Sequence, residues 1–199
     1  MNKFSKVIKG EQSLQAQAKE ELKYDGKYKI IDYKGYEIVK ESDIVIVLPY
    51  FIDEAAIVLR HEAVPTFQYF YKDLKDYKHV TNFLTILSGR VEPGENIKNT
   101  VRRELYEEAG IVLSSTYDFD IEKSVFMTKG NVGRYHMVIL ELRYNDFKLV
   151  SPPGDGSHLE KISRTLKIGL GDIDSLKTHD LITEYMITKF KLEYINKKK

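Results

Sequence analysis

The sequence contains no cysteine. That absence excludes disulfide bonds, thiolate zinc sites and cysteine nucleophiles, and it fits a reducing compartment. Neither sign of charge dominates, because 31 lysines and arginines are balanced by 30 aspartates and glutamates, for a net charge of +1. A protein that coats nucleic acid carries a larger positive charge, so this class is disfavoured. The balanced net charge is still compatible with a local basic groove.

Long apolar runs are absent as well. No stretch of the sequence approaches the roughly 18 apolar residues of a membrane-spanning helix, and the polar N-terminal region lacks the apolar core of a signal peptide. Hydrophobic residues make up 42% and charged residues 31% of the 199 positions, which is typical of a globular protein with one sizeable core. We therefore expect a cytoplasmic protein without membrane contact.

Strands are predicted through the middle of the chain. Short runs on either side of Gly35 predict a hairpin. Residues 42–51 and 55–62 are rich in β-branched side chains and are separated by Asp53 and Glu54, so they predict an antiparallel pair. Further strands are predicted at 83–89, 118–128, 134–144 and 161–170.

The other segments are predicted as helices and loops. Residues 11–23 indicate a short polar helix or a flexible arm, and 179–196 indicate a helix, because apolar residues recur there at a spacing near 3.6. Residues 66–82 are aromatic and charged and predict a loop, as do 150–158 with their prolines and glycines. The predicted fold class is α+β, or a sheet sandwiched between helices.

A further helix is predicted over residues 97–109, with Asn96 as its N-cap and Gly110 at its C-terminal end. On a helical wheel its apolar stripe consists of Ile97, Val101 and Leu105. Two of its acidic residues, Glu104 and Glu108, fall at the border of this stripe rather than on the solvent face.

Carboxylates at the edge of a core lose hydration, which costs several kcal/mol unless positive charge compensates. Arg103 is spaced to pair with Glu107 at i,i+4. Glu104 and Glu108 are therefore expected to lack a protein partner. A hard divalent cation such as Mg²⁺ suits them, because it takes few carboxylates and keeps positions for water and phosphate oxygens.

Residues 89–111 resemble the signature of the Nudix hydrolase family, and every fixed position of that signature is matched. The matching residues are Gly89, Glu95, Arg103, Glu104, Leu105, Glu107, Glu108, Gly110 and Ile111. The resemblance implies an α/β/α sandwich, in which helices flank a mixed central sheet. It also implies that a metal-activated water attacks a phosphorus of a nucleoside diphosphate linked to another moiety.

The resemblance also implies roles for single residues. Glu104, Glu108 and the backbone carbonyl of Ser88 would bind Mg²⁺, with Mn²⁺ as an alternative. Glu107 would bind a further cation or hold Arg103, and Arg103 would orient the glutamates.

Further roles lie at the edges of the signature and outside it. Glu95 would support the start of the helix. Arg60, in the strand over 55–62, would bind a substrate phosphate. Glu160, in the loop before the strand at 161–170, would be the general base, with Asp155 as its competitor.

The substrate is less constrained than the reaction. An N-terminal extension before the core resembles the ADP-ribose pyrophosphatase branch, which favours ADP-ribose or a nucleotide sugar. Hydrolysis or decapping of RNA 5′ ends, or hydrolysis of dinucleoside polyphosphates, is an alternative, and aromatic residues of the insert over 66–82 could stack a base. A non-catalytic nucleotide-binding module is another alternative, although such modules usually lose signature glutamates and this chain keeps them all.

Two parts of the chain are therefore expected. Residues 1–41 form an N-terminal arm and a β-hairpin extension, and residues 42–199 form the Nudix hydrolase domain with its C-terminal helix. Because members of the ADP-ribose branch commonly exchange such extensions, we expect a homodimer.

Overall fold

A computed structural model describes residues 21–25, 29–64, 83–154 and 163–195. The aromatic insert over 66–82, Asp155 and Glu160 lie outside these ranges, so their predicted roles stay predictions.

Twelve strands and two α-helices are formed within the described ranges. The first six strands are β1 (Glu21–Asp25), β2 (Lys29–Tyr33), β3 (Tyr36–Lys40), β4 (Ile44–Phe51), β5 (Ala56–Glu62) and β6 (Phe83–Thr85). The others are β7 (Leu87–Arg90), β8 (Ile111–Leu113), β9 (Lys123–Phe126), β10 (Arg134–Leu142), β11 (Phe147–Leu149) and β12 (Arg164–Gly169). The helices are α1 (Ile97–Ala109) and α2 (Leu181–Phe190), and a π-helical turn, Lys191–Ile195, follows α2.

A mixed central sheet of seven strands has the main order β12-β5-β4-β10-β9. β6 pairs with β5, and β7 pairs with β4. The predicted antiparallel pairing of β4 with β5 is confirmed, with Tyr50 opposite Ile57 and Phe51 opposite Ala56. A separate two-stranded sheet joins β8 to β11.

Helices cover both faces of the central sheet. Val45 and Val47 of β4 lie in the same core cluster as Leu105 of α1. The alternate residue Tyr50 stacks edge to face on Phe190 of α2, with ring centroids 4.9 Å apart. Because successive strand residues point to opposite faces, this alternation produces the α/β/α sandwich, and the predicted fold class is confirmed.

Helix α1 begins and ends where its sequence predicts. The side chain of Asn96 accepts a hydrogen bond from the backbone N–H of Asn99 at 2.9 Å, which satisfies a free donor of the first turn. Gly110 ends the helix in the left-handed region, with φ of 64°. A Cβ there would lie 2.0 Å from the carbonyl oxygen of Val150, so the helix end also needs glycine for space.

The described residues divide into two compact units. One contains the residues up to Asp43 together with Val125–Tyr135, and the other contains Ile44–Ser124 and the chain from His136 onward. In the first unit, β1, β2 and β3 form an antiparallel sheet. Val39 bonds through its backbone to Gly130 and Val132, which ties the two segments of this unit together.

Several predicted elements need correction. Residues 21–23 belong to β1 rather than to a polar helix or arm, because Glu21 and Leu22 pair with β2 and the pairing resumes at Tyr24. The strand predicted over 83–89 is divided at Ile86, whose N–H donates to the hydroxyl of Thr183 at 2.9 Å. The strand predicted over 118–128 is limited to Lys123–Phe126. The short strands β8 and β11 are missing from the sequence prediction.

Among the described helices, none is long and apolar enough to cross a membrane. The cytoplasmic location stays a prediction.

Candidate active site

Helix α1 carries acidic residues at the edge of the core. Val101 and Leu105 are fully buried, and Ile97 packs against the same cluster. Glu104 is 7% exposed, and the side chain of Glu108 is 9% exposed. Carboxylates this deeply buried need positive charge or hydrogen-bond donors close to them.

Arg103 contacts three carboxylates of the site. Its Nη1 lies 2.6 Å from Oε1 of Glu104 and 3.1 Å from Oε2 of Glu107. Its Nε and Nη2 donate to Glu95 at 3.2 and 3.1 Å, and Nη2 also donates to the carbonyl of Arg90 at 2.8 Å. Burial alone would lower the pKa of Arg103, but its hydrogen bonds to Glu95 and the charge of Glu104 raise that pKa overall.

Glu95 links Arg103 to the first turn of α1. Its Oε2 accepts a hydrogen bond from the hydroxyl of Thr100 at 2.8 Å and one from the N–H of Glu92 at 3.3 Å. Burial raises the pKa of Glu95, but the hydrogen bonds from Arg103 and Thr100 lower it by more. Glu95 therefore contacts both Arg103 and the first turn of α1.

Glu108 is held by residues from two strands. Arg60 of β5, which is 5% exposed, donates from Nη1 to Oε1 of Glu108. The backbone N–H of Ser88 in β7 donates to Oε2 at 3.1 Å. Burial raises the pKa of Glu108 to about 8; the nearby Arg60 lowers it, and the charges of Glu104 and Glu62 raise it.

The expectation that Glu104 and Glu108 lack a protein partner is wrong. Arg103 pairs with Glu104 as well as with Glu107, and Arg60 pairs with Glu108. A helical wheel describes angles on α1 only, so it contains no information about a guanidinium that approaches from β5.

Three polar residues near Glu108 are missing from the sequence prediction. Thr85 donates from its hydroxyl to Oε1 of Glu62 at 2.6 Å, and Oε2 of Glu62 lies 3.8 Å from Nε of Arg60. Thr165 donates to the backbone carbonyl of Glu108 at 2.8 Å and so fixes α1 over β12. Glu62 lies two residues after Arg60 in the same strand, and this alternation was the available signal, because such residues share a face.

An open cavity of about 540 Å³ lies beside these side chains. Its lining includes Ser88, Gly89, Arg90, Glu92, Arg103, Glu104, Glu107, Glu108 and Gly154. Within this lining, four glutamates outnumber two arginines. The cavity therefore favours a positively charged ligand, and an anionic substrate would need added cations to enter it.

Gly89 provides the space that Glu104 occupies. A Cβ at this position would lie 1.7 Å from Oε1 of Glu104, far inside van der Waals contact. Glycine is therefore required at position 89 because the carboxylate of Glu104 fills the space that a Cβ would take. The backbone conformation is not the reason, since Gly89 does not have a positive φ.

Comparison with known proteins identifies the family of the chain. The sequence model of the NUDIX domain family matches residues 52–162, more than half of the chain, so the chain belongs to the Nudix family. A solved structure described as an ADP compounds hydrolase has a TM-score of 0.61 and 14% sequence identity, over 90% of this chain and 93% of that one. At this identity the likeness shows the fold alone. None of the curated proteins matches the chain.

Nudix enzymes generally use divalent metal ions. The donors here have suitable chemistry, since Glu104, Glu107 and Glu108 offer hard carboxylate oxygens to one cavity. Within the described ranges, however, no three His, Cys, Asp or Glu side chains form a group that could hold a metal ion as they stand. Arg60 pairs with Glu108, and Arg103 pairs with Glu104 and Glu107, so guanidinium groups occupy oxygens of all three carboxylates.

The structure brings most of the predicted site residues together. Glu95, Arg103, Glu104 and Glu107 share one network, and Arg60, Ser88 and Glu108 share another. Their roles in metal binding and catalysis stay predictions.

Replacing Gly89 by alanine should weaken metal binding without unfolding the protein. The new methyl group displaces the end of the Glu104 side chain, which is flexible, so the backbone can stay in place. We expect affinity for Mn²⁺ to fall by about tenfold or more, as measured by electron paramagnetic resonance.

The matched control is Gly171→Ala, because Gly171 has an ordinary φ and nothing within 4 Å of the added Cβ. It should bind Mn²⁺ as the unmodified protein does. Unchanged Mn²⁺ affinity in Gly89→Ala, with an intact fold by circular dichroism, would contradict the assignment of Glu104 as a metal ligand.

Proposed function

We propose that this protein is a metal-dependent Nudix pyrophosphohydrolase that cleaves the diphosphate of an ADP-linked compound, most simply ADP-ribose or a nucleotide sugar. Mg²⁺ is the proposed metal and Mn²⁺ its substitute. The observation that carries the proposal is the single cavity lined by Glu104, Glu107 and Glu108 of the signature helix. The ADP part of the proposed substrate is carried over from the description of the solved structure that shares this fold, an ADP compounds hydrolase.

The proposed metal ligands are Glu104, Glu108 and the backbone carbonyl of Ser88. A bound divalent ion would neutralise the diphosphate and lower the pKa of the attacking water. Arg103 acts as a positioning residue, because it holds Glu104 and Glu107 at fixed distances while Glu95 anchors it to the helix start.

Two further groups complete the proposed mechanism. Arg60, a buried cation next to Glu108, contacts a phosphate oxygen of the substrate. Glu160 takes the proton of the attacking water, and Glu107 is the substitute base within the cavity.

A substrate panel tests the proposal. Purified protein is incubated with Mg²⁺ and ADP-ribose, nucleotide sugars, dinucleoside polyphosphates, NADH or triphosphorylated RNA, and the products are separated by chromatography. Release of AMP from ADP-ribose is the expected result. Preferential cleavage of RNA 5′ ends or dinucleoside polyphosphates would replace the substrate assignment, and binding without cleavage would indicate a non-catalytic module.

Glu108→Gln should reduce turnover by at least about a hundredfold, because it removes a charged ligand from the metal that activates the water. The amide keeps the shape of the side chain and can still accept the hydrogen bond from Ser88. Turnover is measured at saturating Mg²⁺ together with a thermal melt.

The control for this prediction is Glu141→Gln, which changes an exposed glutamate in β10. It should leave turnover unchanged. A Glu108→Gln variant with near-normal turnover would mean that this carboxylate does not bind the catalytic metal.

Glu160→Gln should lower kcat by about 10²–10⁴ with little change in KM or metal affinity, because a general base acts on the chemical step. Asp155→Asn is the matched comparison in the same loop. If Asp155→Asn is severe and Glu160→Gln is mild, Asp155 is the base. If both are mild, Glu107 becomes the candidate.

We also propose that the N-terminal extension ends at residue 41 and that the Nudix domain begins at residue 42. In this proposal the extension forms the interface of a homodimer. In the first compact unit, Tyr33 and Tyr36 are each 45% exposed and Phe126 is 61% exposed, so this unit presents apolar surface. Sedimentation velocity at micromolar concentration should show a dimer, and Tyr36→Lys should shift it toward monomer. A monomer in the unmodified protein would contradict the proposal.

A further inference from the structure

The ion pair of Arg60 with Glu108 places a protein cation at a carboxylate that the proposed function assigns to a metal. Both side chains are less than a tenth exposed. We propose that Arg60 is a displaceable counter-ion, which neutralises Glu108 before metal binds and moves away from this carboxylate when metal arrives. The inference rests on the proposed function, since it takes Glu108 as a metal ligand.

Both oxygens of Glu108 already accept hydrogen bonds. Oε1 accepts from Nη1 of Arg60, and Oε2 accepts from the backbone N–H of Ser88. The Ser88 donor is fixed, because it belongs to β7 and that strand pairs with β4 at Ile46. The Arg60 donor is at the end of a side chain with several rotatable bonds. A cation that binds Glu108 would therefore replace the guanidinium rather than the backbone N–H.

Electrostatic repulsion also favours displacement of Arg60, because a divalent cation and a guanidinium at the same carboxylate oxygen repel each other. Arginine stays protonated in proteins, so Arg60 cannot lower its charge to share the oxygen. It also cannot be left in a buried place without a partner, because an unpaired buried charge costs several kcal/mol. Displacement is feasible only if a second anion lies within reach of the side chain.

Glu62 is that second anion. Its Oε2 lies 3.8 Å from Nε of Arg60, and its Oε1 is held by the hydroxyl of Thr85 at 2.6 Å. Arg60 and Glu62 alternate along β5 and share a face with Thr85, which lies opposite Arg60 in β6. We assign Glu62 as the positioning residue that keeps the displaced guanidinium beside the site, where it can contact the phosphate of the substrate.

The exchange couples two binding events. Metal binding frees Arg60 for the anionic substrate, so each ligand raises the affinity for the other. Without substrate, Arg60 competes with the metal for Glu108. Removing Arg60 should therefore strengthen metal binding in the absence of substrate and weaken substrate binding, an opposition that a purely structural residue would not produce.

The test measures Mn²⁺ binding by electron paramagnetic resonance in the complete chain without substrate. Arg60→Met is expected to bind Mn²⁺ about tenfold more tightly than the unmodified protein. Arg90→Met is the charge control, because Arg90 lines the cavity and its removal takes away one positive charge. It should tighten binding much less. An equal gain in Mn²⁺ affinity in both variants would show a general charge effect. No gain in Arg60→Met would show that Arg60 does not compete with the metal for Glu108. Either result overturns the proposal.

A double-variant cycle tests Glu62. Glu62→Gln should weaken Mn²⁺ binding, because the displaced arginine loses its second partner, and this effect should nearly vanish when Arg60→Met is also present. An equal effect in both backgrounds would mean that Glu62 acts through its charge alone, which overturns its positioning role.

A measurement on the unmodified protein covers the case in which Arg60→Met does not fold. The side-chain Nε–Hε resonance of Arg60 is assigned by its absence from the ¹⁵N spectrum of Arg60→Lys. Its chemical shift should change during a titration with Mg²⁺, with the same midpoint as Mg²⁺ binding. A resonance unaffected by bound Mg²⁺ would overturn the proposal. This measurement uses no substrate, so failure of the substrate panel would not contradict displacement of Arg60 by metal. Conversely, if the protein hydrolyses the substrate but Arg60 does not respond to Mg²⁺, the proposed function holds and the displacement is wrong.

Discussion

Burial of two carboxylates on one short helix is the constraint on which the site depends. Glu104 and Glu108 are turned toward the sheet by the same helical spacing that buries Val101 and Leu105. Burial raises the pKa of Glu108 to about 8, despite the opposing effect of Arg60. The helix can therefore pack in this orientation only where neighbouring elements deliver positive charge and hydrogen-bond donors.

Those donors come from separate parts of the chain, and this ties the fold to the site. Arg60 comes from β5, Ser88 from β7 and Arg103 from α1 itself. Thr165 of β12 fixes the backbone at Glu108, and Gly89 leaves the space that Glu104 fills. A shift of α1 by a fraction of a turn would break contacts with three strands at once, so the helix position is determined by polar contacts as well as by apolar packing.

The local features of this arrangement could be predicted from the sequence, whereas its long-range contacts could not. The cap at Asn96, the end at Gly110 and the burial of Glu104 each depend on residues within a few turns of one another. The pairing of Arg60 with Glu108 joins residues 48 positions apart and depends on the sheet order. The strands β8 and β11 have three residues each, too few for a reliable periodic pattern.

The arginines explain how an acidic cavity can exist in a folded protein before any cation binds. Arg103 is fixed by its contact with Glu95 and by the carbonyl of Arg90, so it is part of the scaffold. Arg60 has Glu62 as well as Glu108 within reach, so in the exchange that we propose it keeps an anionic partner when a cation binds Glu108. One guanidinium therefore gives the signature helix a fixed geometry, and the other supplies a charge that can be reassigned. A site built from glutamates alone would face the full repulsion among them whenever metal was scarce.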